Sequence, residues 1–397
     1  MHVIPQKFWR PASDSAAERI SCPPYDVVST TEARILAEGN ASSFLHVIRP
    51  EIGFREDMNE HHPSVYDAGA SALRRLMASR ELVQDDTPSL YVYQLEMGGV
   101  HSTGVFGGVR TRDYNEGIIV KHENTRPDKE DDRARHIVAQ RAHAEPVMLV
   151  HPSDPAIASM LRTVTAEPPL LEVVANGVAH RLWNVEHFRD LTDAFSSIPR
   201  FYVADGHHRC AAAARASVQL EEECPGAGVF PAAIFPANQM QLMAYNRVVL
   251  ETDDDSLDAI FTASRVVDEG RDVPDKKGDV CVYQRGKWKT IRLADAETGA
   301  GPVDRLDVQR LHDQILEPIL RVGDPRTDPN ISFVGGIRGP EELRKLVDRG
   351  FARVAFSMYP TSVHELMEVS DAGLLMPPKS TWFEPKLRSG LLVNVFS

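Results

Sequence analysis

Arg200-Phe-Tyr-Val-Ala-Asp-Gly-His-His-Arg209 decides how this chain is read: an apolar strand runs into a glycine turn and then into three basic residues. The Ala-rich run Cys210 to Ala216 that follows has high helix propensity, so the whole reads as strand, turn and helix. Asp205 stands where an N-cap belongs, which puts His207, His208 and Arg209 in the first helical turn. That placement runs against the helix dipole, whose amino end carries unpaired N–H groups and favours acidic side chains. A phosphate bound at the turn accounts for the basic cluster, with Gly206 letting the backbone come close to it. The plain alternative is a capped helix with two neutral histidines and a solvated arginine.

Composition narrows the class. At 397 residues the chain has room for two or three domains and a large core. A formal net charge of −13 disfavours a polyanionic partner, so no nucleic acid is expected. No apolar run approaches the roughly 20 residues that span a bilayer, and the N-terminus lacks a secretion-signal layout. Cys22, Cys210, Cys224 and Cys281 are scattered, which argues against a disulfide framework or zinc finger and for a reduced cytoplasmic location. Cys210 reads as a small core side chain.

The Asp205-to-Arg209 stretch resembles the phosphate-binding turn of the ParB/sulfiredoxin-like superfamily and, within it, the SerK-type free serine kinases. In sulfiredoxins a Gly-Cys-His-Arg turn holds the nucleotide phosphates. Gly206, His208 and Arg209 match it, whereas His207 replaces the reactive cysteine, so sulfinic acid reduction is not expected. Cys22-Pro-Pro-Tyr-Asp26, Gly117-Ile-Ile-Val-Lys-His-Glu-Asn-Thr125 and Pro377-Pro-Lys-Ser-Thr-Trp-Phe-Glu-Pro-Lys-Leu-Arg-Ser-Gly390 resemble a family of soluble proteins of unknown function grouped with those kinases. The resemblance implies ATP or ADP as ligand, Mg2+ carried with it, and free L-serine as acceptor.

Along the chain, Ser43–Ile48 and Leu90–Leu95 read as strands, and Tyr66–Met77 as a helix. Val105–Arg110 and Gly117–Lys121 read as a hairpin joined through Thr111–Glu116. A helix is expected from Pro127, with proline and acidic residues in its first turn. Residues 154–198 read as helix, two strands and helix; strands follow at Val229–Phe235 and Met243–Val249. The acidic run Glu251-Thr-Asp-Asp-Asp255 marks a boundary. Leu306, Leu311, Ile315 and Ile319 place core positions on a helix over Val303–Leu320. The expected architecture is therefore α/β with a mixed sheet: a ParB/sulfiredoxin-like nucleotide-binding domain over 1–250 and an α/β domain over 251–397.

Lys121-His-Glu-Asn-Thr-Arg126, at the end of a strand, is the second candidate site. Phosphoryl transfer to a hydroxyl needs a carboxylate to deprotonate it and cations to offset phosphate charge. Glu123 suits the first task, and Arg126 or Lys121 the second. Asp205 has two open roles, base or N-cap. A transition-metal site has little support, because adjacent histidines such as His207 and His208 cannot easily point at one ion. Lys379, Ser380, Thr381, Lys386 and Arg388 sit among prolines near Trp382 and Phe383, a mix suited to a phosphate-gripping lid. No P-loop, dinucleotide fingerprint or serine-hydrolase elbow is found.

The expected activity is a small-molecule kinase, with Glu123, Asp205 and His207 catalytic. Gly206, His208, Arg209, His122 and Arg126 bind phosphate with the C-terminal cations. A non-catalytic nucleotide-binding regulator and a phosphatase of a small phosphorylated acid are the alternatives. Oligomeric state is left open, a homodimer included.

Overall fold

The computed structural model describes residues 2–396 and divides into two compact units. Residues up to Met240 form the first together with the segment from Pro385 onward, and Gln241–Glu384 form the second. The division falls ten residues before the boundary expected near 250, and the chain's last segment returns to the first unit. Both units are α/β.

The first unit is built on an eight-stranded mixed sheet. Its strands in chain order are β1 (Leu90–Met97), β2 (Val100–Arg110), β3 (Ile119–Val120), β4 (Val147–His151), β5 (Leu171–Ala175), β6 (Val178–Val185), β7 (Phe201–Asp205) and β8 (Val229–Pro236). Across the sheet the order is β3-β7-β4-β8-β2-β1-β6-β5. β3 runs parallel to β7, and β4 parallel to β8; the other pairs are antiparallel. Alternate residues supply one face of the core: Leu90 and Val92, Val147 and Leu149, Phe201 and Val203, Ala232 and Ile234. The helices of this unit include α1 (Pro63–Ala78), α2 (Pro127–Gln140) and α3 (His207–Leu220). Small residues of α3, Ala212 and Ala216, let it pack against Ala134 and Ile137 of α2. Cys210 is buried in the sheet core, and burial pushes its thiol up to about 12, as a packing residue requires.

The second unit carries an antiparallel six-stranded sheet of β9 (Tyr245–Val249), β10 (Arg265–Glu269), β11 (Asp279–Gln284), β12 (Lys287–Arg292), β13 (Ile331–Gly335) and β14 (Val354–Met358), ordered β10-β12-β11-β14-β9-β13.

Four local expectations fail, each for a physical reason. Leu45–Ile48 is a helical turn, not a strand; its residues are an apolar run too short for periodicity to separate the two. Thr111–Asn115 is a helix rather than a hairpin turn, because β2 finds its partners in β1 and β8 while β3 pairs with β7. Over 303–320 the α-helix spans only Asp307–Leu311 and continues as a π-turn over His312–Leu316, with Leu306, Leu311 and Ile315 buried as expected. Gly206, not Asp205, is the N-cap of α3.

Candidate functional site

Two neighbouring parallel strands create the site. Ile119 and Val120 of β3 lie in register with Phe201 and Tyr202 of β7, so the residues that follow both strands leave the sheet side by side. The carboxyl ends of strands are where α/β sheets present ligand-binding groups. After β7, Gly206 adopts φ +99°, a conformation that favours glycine, and turns the chain directly into α3. A Cβ there would stand 3.0 Å from Arg209 Nε and 3.1 Å from Val147 Cγ1.

His122 and His207 meet edge to face across this junction, with ring centroids 4.4 Å apart and planes at 89°. Glu123, half-buried, joins them: ligand atoms of His122, Glu123 and His207 lie within 4.8 Å of one another. Both imidazoles are buried, at 1% and 7% exposure. Burial lowers His122 to about 4, against the pull of a hydrogen bond to the Val203 backbone and of Asp205. It holds His207 well below its ordinary value, helped by the neighbouring His122. Both rings are therefore neutral at pH 7. His207 Nε2 is buried without a hydrogen-bond partner. His208 is half-exposed beside them, and its Nε2 accepts a hydrogen bond from the Arg126 backbone N–H at 3.1 Å. That bond ties the 121–126 loop to the first turn of α3.

Asp205 and Arg209 depart from their expected roles. The Asp205 carboxylate accepts from Lys386 Nζ at 2.6 Å and from Arg209 Nη2 at 2.6 Å. Burial alone would raise this carboxyl, but the two cations outweigh it and hold Asp205 well below the usual carboxylate range. A carboxylate so held is a poor proton acceptor, which argues against Asp205 as the base, and the cap position belongs to Gly206. Arg209 points inward, donating to the Pro146 carbonyl and lying 3.8 Å from Asp26. It lines a small cavity of about 40 Å³ together with Arg133, His136, Gln140, His143 and Glu145. Arg209 and Lys386, expected on phosphate, serve this buried cluster, because a carboxylate at a buried strand end must be neutralised. Arg388 likewise donates to Ser21 Oγ at 2.9 Å and to the Ser21 carbonyl.

Among the other expected residues, Arg126 is exposed and pairs with Asp128 at 2.7 Å. Lys379, Ser380 and Thr381 belong to the second unit, where Lys379 is exposed and Ser380 donates to the Pro377 carbonyl at 2.6 Å. The Cys22-Pro-Pro-Tyr-Asp26 stretch takes part instead. Tyr25 lies under the Arg133 guanidinium at 4.2 Å, and its N–H donates to Glu145 at 3.1 Å. Cys22 pairs with Ser389 as an isolated β-bridge, joining the N-terminal Cys-Pro-Pro-Tyr-Asp stretch to the C-terminal segment. Asp26 was legible only as part of that stretch; Glu145 had no local signal at all.

Chemically, the arrangement offers a carboxylate and two neutral imidazoles beside the amino end of a 14-residue helix with no side-chain cap. Such a helix end favours an anion.

In overall structure the chain is similar to a free serine kinase solved with AMP, at 14% identity and TM-score 0.38, covering 73% of this chain and 91% of that one. It is also similar to a conserved hypothetical protein from Pyrococcus furiosus (14% identity, TM-score 0.36, 73% and 95% covered). A C-terminally truncated SbnI from Staphylococcus aureus gives 14% identity and TM-score 0.38, with 73% and 87% covered. No curated protein matches the chain in sequence. A family model does match, over residues 3–309, and with the four motif stretches read above it shows that the chain belongs to DUF1015, a family of proteins of unknown function.

Proposed function

We propose that the protein is a phosphotransferase that moves a phosphoryl group from ATP or ADP to the hydroxyl of a small molecule. Free L-serine is the acceptor suggested by the resemblance of the Asp205-to-Arg209 turn. The observation that carries the reading is the meeting of Glu123 with His122 and His207 at the uncapped amino end of α3. The first N–H groups of α3 and the His208 side chain hold the phosphate. Glu123 takes the proton as the acceptor oxygen bonds to phosphorus and the bond from phosphorus to the nucleotide oxygen breaks. The leaving group is ADP from ATP, or AMP from ADP. Asp205, Arg209 and Lys386 are positioning residues that lock the turn. Two imidazoles and one carboxylate are not a magnesium donor set, so Mg2+ enters with the nucleotide phosphates, whose charge it offsets.

Purified protein incubated with L-serine, MgCl2 and either nucleotide should form O-phosphoserine, read by mass spectrometry. Glu123→Gln should lower turnover about 100-fold or more while leaving nucleotide affinity within a few-fold. No phosphorylated product across a panel of hydroxyl-bearing amino acids and hydroxy acids would discard the proposal.

A further inference from the structure

We propose that His122, Glu123 and His207 form a binding site for one divalent first-row transition-metal ion. The site is defined by its ligand atoms and does not depend on the phosphotransferase reading. Sequence spacing hides it, because the two histidines are 85 positions apart and each has a different nearest neighbour in the chain. The parallel pairing of β3 with β7 brings together one imidazole from each turn.

Three observations converge. Ligand atoms of all three side chains fall within 4.8 Å of one another. With metal–ligand bonds near 2.0–2.2 Å, the donors of one ion stand roughly 3–4 Å apart, so closing the site needs only small side-chain rotations. The His207 ring is 93% buried, counting from its 7% exposure, and its Nε2 has no hydrogen-bond partner. A buried polar nitrogen left in that state is destabilising, and a bound ion would satisfy it. The His122 ring hydrogen-bonds the Val203 backbone carbonyl. That contact fixes one nitrogen as the donor and presents the other as a lone pair, the arrangement by which backbone groups orient metal-bound histidines.

The donor set also selects the ion. Imidazole nitrogen suits zinc, copper, iron and nickel, whereas magnesium and calcium favour an all-oxygen shell. Three protein ligands leave coordination positions open, as in sites that take an exogenous ligand. Here that ligand would be an oxyanion at the amino end of α3.

The test uses the full chain, stripped with EDTA and dialysed, then titrated with Co2+ and separately with Zn2+. One equivalent of each should bind, Co2+ giving visible d–d absorption, and millimolar Mg2+ should not displace it. Glu123→Gln, a near-isosteric change at a half-buried position, should weaken Zn2+ binding at least about 10-fold. His207→Ala should weaken it about 100-fold or more, with folding checked by circular dichroism. The exposed His101→Ala should leave it unchanged. Failure of the folded wild-type protein to take up one equivalent overturns the proposal. So does uptake that Glu123→Gln and His207→Ala both leave intact. Stoichiometric metal without any phosphorylated product across the acceptor panel would sink the kinase reading alone.

Discussion

Replacing Asp205 with asparagine should cost stability before it costs chemistry. Its carboxylate sits 2.6 Å from Lys386 Nζ and 2.6 Å from Arg209 Nη2, with side-chain exposures of 19%, 16% and 6% for the three residues. At that distance and an effective dielectric near 20, each ion contact is worth about 6 kcal/mol of Coulomb attraction. Desolvating the ions consumes several kcal/mol of this, leaving about 2 kcal/mol net for the contact to Lys386. Asp205→Asn strands two cations together and should destabilise the first unit by about 3–5 kcal/mol. Lys386→Met leaves Asp205 with Arg209 and should cost about 2 kcal/mol. The double variant should cost less than the sum, with a coupling of about 2 kcal/mol, read by urea unfolding. The pH dependence has a definite sign: Asp205 is held below its unfolded value, so its contribution is present above about pH 4 and is lost on acidification. Asp205→Asn should therefore flatten the acid limb. Coupling below about 0.5 kcal/mol, or an Asp205→Asn protein of wild-type stability without turnover, would refute the structural role and restore Asp205 as a base.

Burial lowers His143 to about 4 and His180 to about 3, so between pH 6.5 and those values the unfolded chain binds the extra protons. Stability should fall as pH drops, by about 2 kcal/mol per histidine between pH 7 and pH 5. His143→Gln should remove its share of that slope, and a flat profile over this range would contradict it. Gly206→Ala forces a side chain into φ +99° and against Arg209, so it should cost about 1–3 kcal/mol; an unchanged melting temperature would show that the turn relaxes freely.

Much of the fold is legible from short stretches, because the forces involved are local. The β-branched and aromatic content of Leu90 to Leu95, the proline and acidic start of Pro127–Gln140, and the alanines of α3 each mark an element that the structure contains. The Asp205-to-Arg209 turn announces itself through glycine and clustered bases within five residues. Which neighbours those bases face is a non-local matter. The roles of Arg209, Lys386 and Arg388 reverse once a buried carboxylate and backbone carbonyls are found beside them, since a desolvated charge takes whatever partner the packing offers. The hairpin expected after Val105 fails in the same way, because β2 satisfies its backbone with β1 just before it and with β8 far along the chain. The joining of His122 and Glu123 to His207 depends on the parallel register of β3 and β7, a long-range pairing on which no short window of residues carries information.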